Sequence, residues 1–510
     1  MSVDPVELEV MAHAFASIAE EMGYVLVGAA LSPNIRERRD ASAALFNDRG
    51  EMIAQAAHIP VHLGALSAAV TAVRVHTPRP GDLFILNDPY AGGSHLPDLT
   101  FVEAIEDHGV VVGYSAVRAH HSDVGGVEPG SMPAGARDLF SEGLILPPTR
   151  FTPEVERVLL ANVRTPDVRR GDLLAQRAAV ARGGAGLRLL ARRYGWPRVR
   201  AGMRALLSYA ARRTRAALRP LGAVGLSATD WLEGDGIEDA DLAITVRVDI
   251  VDGVLRVDFD GTAPAVGGNV NCPLAVTRAA VLFVLRTLVP EDVPTNAGVE
   301  RAMRVRAPSG CLVNARPPSA VAGGTVETAQ RVSDTVLLAL ARGGIPVPAQ
   351  GQGTMNNVTL GGARDGGRWT YYETIGGGQG ASRGAAGPSG VHVGLSNTRN
   401  TPVEVLEMEV PVRVRRYALR AGSAGAGRWA GGEGVIRELE ALAPMRASLV
   451  TDRRRHAPQG AAGGGPGAPG RNVVNEQEVA PKTRILLAPG DVLRIETPGG
   501  GGFGPRGGDQ

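Results

Sequence analysis

Lysine is nearly absent from this chain: Lys482 is the only one in 510 residues. A P-loop needs its Gly-Lys-Ser/Thr, and a kinase needs a lysine beside the nucleotide, so neither kind of ATP site is encoded. A Schiff-base lysine in the chemistry-bearing region is excluded for the same reason. Cysteine is almost as scarce. Cys272 and Cys311 cannot build a disulfide framework and lack metal-ligand spacing, which fits a reduced, cytoplasmic location. Aromatic residues make up 4% while glycine reaches 68, so the expected core is Ala, Val, Leu and Ile with many tight turns. No uninterrupted apolar run approaches the ~18 residues that span a bilayer. The opening MSVDPVELEV has neither the basic nor the apolar region of a signal peptide, and no membrane association is expected.

What is present is globular. With 44% hydrophobic and 21% charged residues the chain is too apolar for disorder, and it is longer than one ordinary core. The expected fold class is α+β (mixed) and multi-domain. An N-terminal α/β metal-site domain takes residues 1–152, and a helical arginine-rich segment takes 153–222. A mixed α/β domain follows over 223–350, then a glycine-rich, β-dominated region over 351–510. Residues 5–30 have helical spacing behind an Asp4-Pro5 cap. Asn47-Asp48-Arg49-Gly50 reads as a hairpin turn, 61–77 as a helix, and Gly81–Leu86 and Gly109–Val117 as strands. The 153–219 stretch is helical with expected breaks at Gly183-Gly184 and Gly195-Trp196-Pro197. Period-two alternation surrounds Asp252-Gly253, and 275–289 and 325–341 are helical. The glycine tracts 460–470 and 499–502 read first as mobile linkers and second as places of close backbone approach.

Net charge is only +2, yet residues 150–219 hold 17 arginines against four acids. No aromatic stacking platform accompanies them, so nucleic acid is not the expected partner. A solvated helix face or a contact with an acidic partner subunit is expected instead.

The chemistry concentrates elsewhere. Seven of the ten histidines (58, 62, 76, 95, 108, 120, 121) fall within residues 58–121. LNDPYAGGSHLPDLT carries His95 and Asp98 around a stiffening Pro97, and YSAVRAHHSDVGGVEPGSM carries His120, His121 and Asp123. Both follow expected strand ends, where functional groups are commonly placed. Asp40, in a comparable loop, is the best-placed extra carboxylate. Two His with one or two Asp suit Zn²⁺, Mn²⁺ or Fe²⁺ and leave a coordination position open. The alternative is that His95 and His120 are buried hydrogen-bonding residues. His121 or Asp123 is positioned to serve as proton shuttle. Downstream polar clusters single out Glu327, Glu373 and His392 as substrate-facing residues.

Taken together, NDPYAGGSHLPD, RAHHSDVGGVEPGSM, FDGT followed by GNVN, VAGGTVETAQR, QGTMNN, YYETIGGGQGA, SNTRNTPVEVLE, GAGRWAGGEG and TPGGGGFG occur in this order. They resemble the hydantoinase B/5-oxoprolinase family from Ser32 to Gly504. The resemblance implies metal ligands at Asp40, His95, Asp98 and His120. It implies an ATP-binding hydantoinase A-type partner, hence a hetero-oligomer in which ATP is used by the other subunit. The implied activity is opening of a cyclic amide such as a hydantoin, 5-oxoproline or another lactam. Ketone carboxylation of the acetone or acetophenone type is the alternative within the family. A non-catalytic metal-binding scaffold and a stand-alone metallohydrolase are the alternatives outside it. One departure is visible: where the family often continues SGVHTH, this chain has Ser389-Gly390-Val391-His392-Val393-Gly394.

Overall fold

The computed structural model describes residues 4–57, 59–62, 64–364 and 366–506. It mixes helices with four sheets. The first is a six-stranded antiparallel sheet in the order 52–57, 41–47, 110–120, 98–107, 83–86, 149–150. The strand Ala41–Asn47 is buried along its whole length because both sheet faces are covered. Ala43 and Leu45 enter the core shared with Ile18, Met22, Leu26 and Val180. Their neighbours Ala44 and Phe46 point the other way, onto Leu66, Ala69 and Val70. The helices Pro5–Ala29 and Pro166–Tyr194 thus cover one face, and Ala65–Val75 covers the other.

The first helix starts as its sequence dictates, with the Asp4 carboxylate accepting from the Val6 N–H at 2.9 Å. By length and composition it is long and apolar enough to cross a membrane. Here one face, Met11, Phe15, Ile18, Ala19 and Met22, is packed into the protein. The expected break at Gly183-Gly184 does not occur: the helix runs unbroken from Pro166 to Tyr194. A Cβ on Gly183 would lie 2.5 Å from the Met22 sulfur and 2.9 Å from the Ser115 Cβ. These glycines let the helix approach its neighbours closely. The break at Gly195 is real, with φ +78° between two helices. Part of the arginine excess of this region is answered from outside it, by Arg182–Glu21, Arg198–Glu7 and Arg213–Asp292 pairs.

A second sheet, ordered 303–306, 254–258, 241–251, 223–233, packs with the helices Leu274–Thr287 and Ala329–Arg342 around one core. The last two sheets, 367–373/357–364/445–450/482–487 and 412–420/434–441/492–496/471–474/477–478, share another. The glycine tracts are interleaved backbone rather than linker. A Cβ on Gly500 would lie 2.0 Å from the Gln379 carbonyl oxygen, and one on Gly464 2.2 Å from that of Gly502.

The lone lysine is part of this scaffold. Lys482 is buried, and its ammonium donates to Asp452 at 2.8 Å and to the Glu233 carbonyl at 3.0 Å. Arg331 reaches Asp452 at 3.0 Å and Arg453 reaches Asp230 and Asp334, each at 2.9 Å. This buried ion network stitches the second sheet to the third, each charge satisfied by an opposite one.

Candidate functional site

Antiparallel register brings three of the implied ligands to one edge. Asp98 pairs opposite His120 across adjacent strands, and Ala41 pairs opposite Ala119 on the other side. Asp40, immediately before Ala41, therefore sits beside His120, whose N–H donates to the Asp40 carbonyl at 3.0 Å. His95 lies one turn before Asp98 on the Pro97 loop. All four side chains are almost fully buried.

A fifth residue joins them. His62 ends the short 3₁₀ turn Pro60–His62, which follows the strand Met52–Ala57 paired to Ala41–Asn47. Its Nδ1 is 3.1 Å from the Ser42 hydroxyl, and its Nε2 faces the Asp98 Oδ2 at 3.4 Å. His95 Nε2 faces the same oxygen, also at 3.4 Å. Good N–H···O bonds fall at about 2.7–3.2 Å. Ligands about 2.1 Å from a shared tetrahedral centre stand about 3.4 Å apart. Two buried donor atoms nearby, Asp98 Oδ1 and His120 Nε2, lack any partner, as does His95 Nδ1 on the opposite side of its ring from the nitrogen that faces Asp98. Imidazole with carboxylate is a donor set suited to borderline divalent metals, so the residues present fit such an ion. Among the described residues, however, no group of three or more His, Cys, Asp or Glu side chains is arranged as a preformed metal cage.

Electrostatics favour the ligand forms of Asp98 and His120 but not that of Asp40. Burial alone would lift the Asp98 carboxyl, but His95 and His62 hold it well below its ordinary range. Burial, assisted by His95, keeps His120 well below the usual imidazole value, hence neutral. Burial and the nearby Asp98 raise Asp40 despite the attraction of His62.

The supports of His120 come from far along the chain. Asn34 Nδ2 meets its Nδ1 at 3.2 Å and donates to its carbonyl at 2.7 Å. Arg38, fully buried, holds Asn34 Oδ1 at 3.0 Å and the Tyr372 carbonyl at 2.6 Å. The Tyr372 ring stacks on His120, centroids 4.4 Å apart and 10° between planes. Asn34, Arg38, Tyr372 and His62 escaped the sequence reading. His62 was visible only as one of seven clustered histidines, and Tyr372 only as the neighbour of Glu373. His58, in the same window, lies outside the described residues.

Of the other expected site residues, some converge and some do not. Glu327 lies in a buried π-helical turn, Gly324–Thr328, whose Thr325 hydroxyl donates to the Ser94 carbonyl at 3.0 Å. Such π-turns recur at functional sites. Glu327 Oε1 accepts from Asn357 Nδ2 at 2.7 Å, and Asn357 Oδ1 accepts from the Tyr372 hydroxyl at 2.8 Å. Glu327 Oε2 is buried without a partner, and burial raises this carboxyl to about 7. His392 hydrogen-bonds Ser396 at 2.8 Å and lies 3.3 Å from Thr398, which Arg38 also contacts. It belongs to the scaffold behind His120, and burial holds it down at about 3, so it is uncharged. Gly394, at the departure from SGVHTH, has φ +61° and packs on Gln330. Glu373 turns away. Strand alternation points Tyr372 at His120 and Glu373 at Arg437, its ion-pair partner at 3.2 Å. Asp123 does not stand free: Arg164 occupies both its oxygens, at 2.7 and 2.6 Å. His121 points into the helical layer, its Nε2 2.8 Å from Gln176 Oε1, with Nδ1 left unpartnered. Burial and Arg169 lower it to about 4.

A layered α+β protein with a His/Asp cluster at its strand ends is the class this geometry defines. The chain belongs to the hydantoinase B/oxoprolinase family, whose model matches residues 4–506. It is 38% identical to 5-oxoprolinase 1 of Arabidopsis thaliana across 98% of this chain, which spans 42% of that protein's length. It is 30% identical to the B component of a putative D-/L-hydantoinase of a Pseudomonas species, covering 98% of this chain and 90% of that one. The structure resembles ATP-dependent caprolactamase from Pseudomonas jessenii with a TM-score of 0.91 and 29% identity, covering 99% of this chain and 92% of the other. Acetone carboxylase shares the fold, with a TM-score of 0.88 at 17% identity, over 98% of this chain and 76% of the other.

Proposed function

We propose that this chain is the metal-dependent catalytic component, of the hydantoinase B type, in an ATP-dependent cyclic-amide hydrolase. It opens a hydantoin, 5-oxoproline or lactam ring that a separate hydantoinase A-type subunit has activated with ATP. The reading rests on family membership and on relatives named for hydantoin, oxoproline and caprolactam chemistry. The observation that carries it is the buried His62–His95–Asp98–His120 cluster, in which Asp98 Oδ1 and His120 Nε2 have no partner. A cytoplasmic hetero-oligomer goes with it, as does the solitary, fully employed Lys482.

Asp40, His62, His95, Asp98 and His120 would hold a Zn²⁺, Mn²⁺ or Fe²⁺ ion. The chemistry such an ion supplies is Lewis acidity, polarising a carbonyl and acidifying water. Asp98 as carboxylate and His120 as neutral imidazole keep their lone pairs available. Asn34 and Arg38 fix the rotation of the His120 ring, and Tyr372 covers one of its faces. Glu327, set near neutrality by burial, exchanges a proton with water or with the departing ring nitrogen at working pH. Asn357 aligns that carboxyl with Tyr372. His121 Nδ1 is the second candidate for proton transfer, while Asp123 braces Arg164.

The test is co-expression with an A-type subunit and assay of 5-oxoproline, hydantoin and ε-caprolactam opening with ATP. The expected result is ATP-dependent opening of one ring class, abolished by Asp98→Ala. Undiminished turnover by Asp98→Ala, or ring opening by the isolated chain without ATP, would overturn the reading.

A further inference from the structure

Away from the His/Asp cluster, a cavity of about 610 Å³ opens between the helices Ala65–Val75 and Leu274–Thr287, against the Pro89–Gly92 loop. That loop leads within three residues to His95. The cavity lies where the first sheet's helical cover meets the second core, and domain junctions are favoured places for small-molecule sites. Its wall is largely apolar, with Ala68, Ala72, Leu282 and Met303.

Two charged side chains face this space, Arg278 and Glu300. Arg278 is exposed to solvent at the cavity's edge, and among the described residues it makes no hydrogen bond and the two form no ion pair with each other. Glu300 is half-buried, and its one hydrogen bond is a long 3.4 Å contact from the Ser67 hydroxyl. Burial raises its carboxyl to about 7 although Arg278 pulls the other way. Glycine at position 64 keeps the corner beside it open. A Cβ there would lie 2.8 Å from the Leu282 Cδ2 and 3.7 Å from Glu300 Oε1.

A solvent-facing cation and a half-buried carboxyl that line one largely apolar cavity without forming an ion pair are complementary to a short apolar body with charges of opposite sign at its ends. Hydrolysis of a lactam such as 5-oxoproline or ε-caprolactam makes such a molecule, since water adds across the broken C–N bond to leave a carboxylate on carbon and an amine on nitrogen, whereas an opened hydantoin keeps a neutral urea nitrogen. We infer that this cavity is a binding site for a zwitterionic amino acid of the ring-opened product class. Arg278 takes the carboxylate and Glu300 the ammonium. The source of the ligand rests on the proposed function; the charge complementarity does not.

The experiment titrates the full-length chain with L-glutamate and 6-aminohexanoate, using calorimetry and ligand-observed NMR. Hexanoate and ε-caprolactam serve as ligands lacking one or both charges. The expected result is saturable binding of an amino acid and at least tenfold weaker binding of its uncharged or singly charged counterpart. Arg278→Gln and Glu300→Gln each weaken amino-acid binding at least tenfold, and Asp98→Asn leaves it unchanged. Ala72→Phe, which fills the cavity without touching a charge, also blocks binding. Absence of amino-acid binding up to roughly 10 mM, a range that covers weak ligands, overturns the inference. So does binding that survives Arg278→Gln but is lost in Asp98→Asn. That outcome places the ligand at the His/Asp cluster and leaves the proposed function standing.

Discussion

Replacing His62 by alanine is the sharpest test of the strand-end cluster. His62 is 1% exposed, and its Nε2 stands 3.4 Å from the same Asp98 oxygen that His95 approaches at 3.4 Å. If these three atoms share one ion, removing the imidazole deletes a ligand. A four-ligand zinc site is worth about 10–16 kcal/mol, so one ligand carries about 3–4 kcal/mol. That corresponds to a loss of roughly 10²–10³-fold in affinity. The cavity adds a stability cost of about 2 kcal/mol, small enough for the fold to persist, and the Ser42 hydroxyl keeps its bond to the Ala41 carbonyl. Metal content after dialysis and competition against a graded chelator give the affinity, and circular dichroism verifies folding. His76→Ala is the control, since His76 comes from the same histidine-rich window but is exposed at a helix end. A His62→Ala chain that holds metal within threefold of the unaltered protein, or an equal loss in His76→Ala, refutes the five-residue assignment.

Three further outcomes follow from packing and charge. Glu373→Ala leaves the buried Arg437 without its ion-pair partner, and stability should fall by about 3–5 kcal/mol with metal content unchanged. Loss of metal in that variant would return Glu373 to the site. Gly500→Ala forces a Cβ to within 2.0 Å of the Gln379 carbonyl, which is backbone and cannot swing aside. It should cost about 3 kcal/mol or more. Gly267→Ala, with nothing within 4 Å, should stay within about 0.5 kcal/mol by thermal or urea unfolding. Glu142 is fully buried, and burial raises its carboxyl from 4.5 to about 8, though Val321 and Ala322 N–H groups lower it in part. The folded state therefore prefers the proton. This stabilisation is complete below about 4.5 and is lost as pH rises through about 8, at about 1.4 kcal/mol per pH unit between them. Unfolding free energy should fall about 2 kcal/mol more from pH 6 to 8 in the unaltered chain than in Glu142→Gln. Parallel curves would refute it.

What the sequence made legible follows a physical divide. His95, Asp98 and His120 stand in loops and strand ends where spacing and Gly/Pro punctuation mark a site before any fold is known. His62 carries no such mark, because it reaches Asp98 only through the pairing of 52–57 with 41–47, which is a tertiary event. The Tyr372/Glu373 pair shows a different limit. Period-two alternation says that one faces the site and one does not, but only the sheet's packing says which. The partner of Asp123, Arg164, is 41 residues further on, so their ion pair leaves no mark in the local sequence. The glycines at 183 and in the C-terminal tracts read as interruptions, since composition cannot distinguish a bend from a close contact. Only the atoms around Gly183 and Gly500 make that distinction.

The cluster is built from one sheet, yet it is held from a π-helical turn, the third sheet and the loops beyond it. All five candidate donors lie between residues 40 and 120. Asn34 and Arg38 apart, the groups that orient them come from beyond residue 320: Thr325 on the Ser94 carbonyl, Asn357 between Glu327 and Tyr372, Thr374 and Thr398 on Arg38. Those supports sit in the polar stretches that stood out in the sequence as too rich in hydrogen-bonding groups for plain turns. Their purpose is visible in His120, whose Nδ1 is engaged from residue 34 and whose ring is covered from residue 372. An imidazole fixed on one nitrogen and one face presents its remaining nitrogen in a single direction, the condition under which a metal ligand or a hydrogen-bond donor is useful to chemistry. The same reasoning explains why the one lysine is spent on Asp452. The second and third sheets must stay in register for residues 327, 357 and 372 to reach across to His120, and a buried ion network tolerates no slip between them.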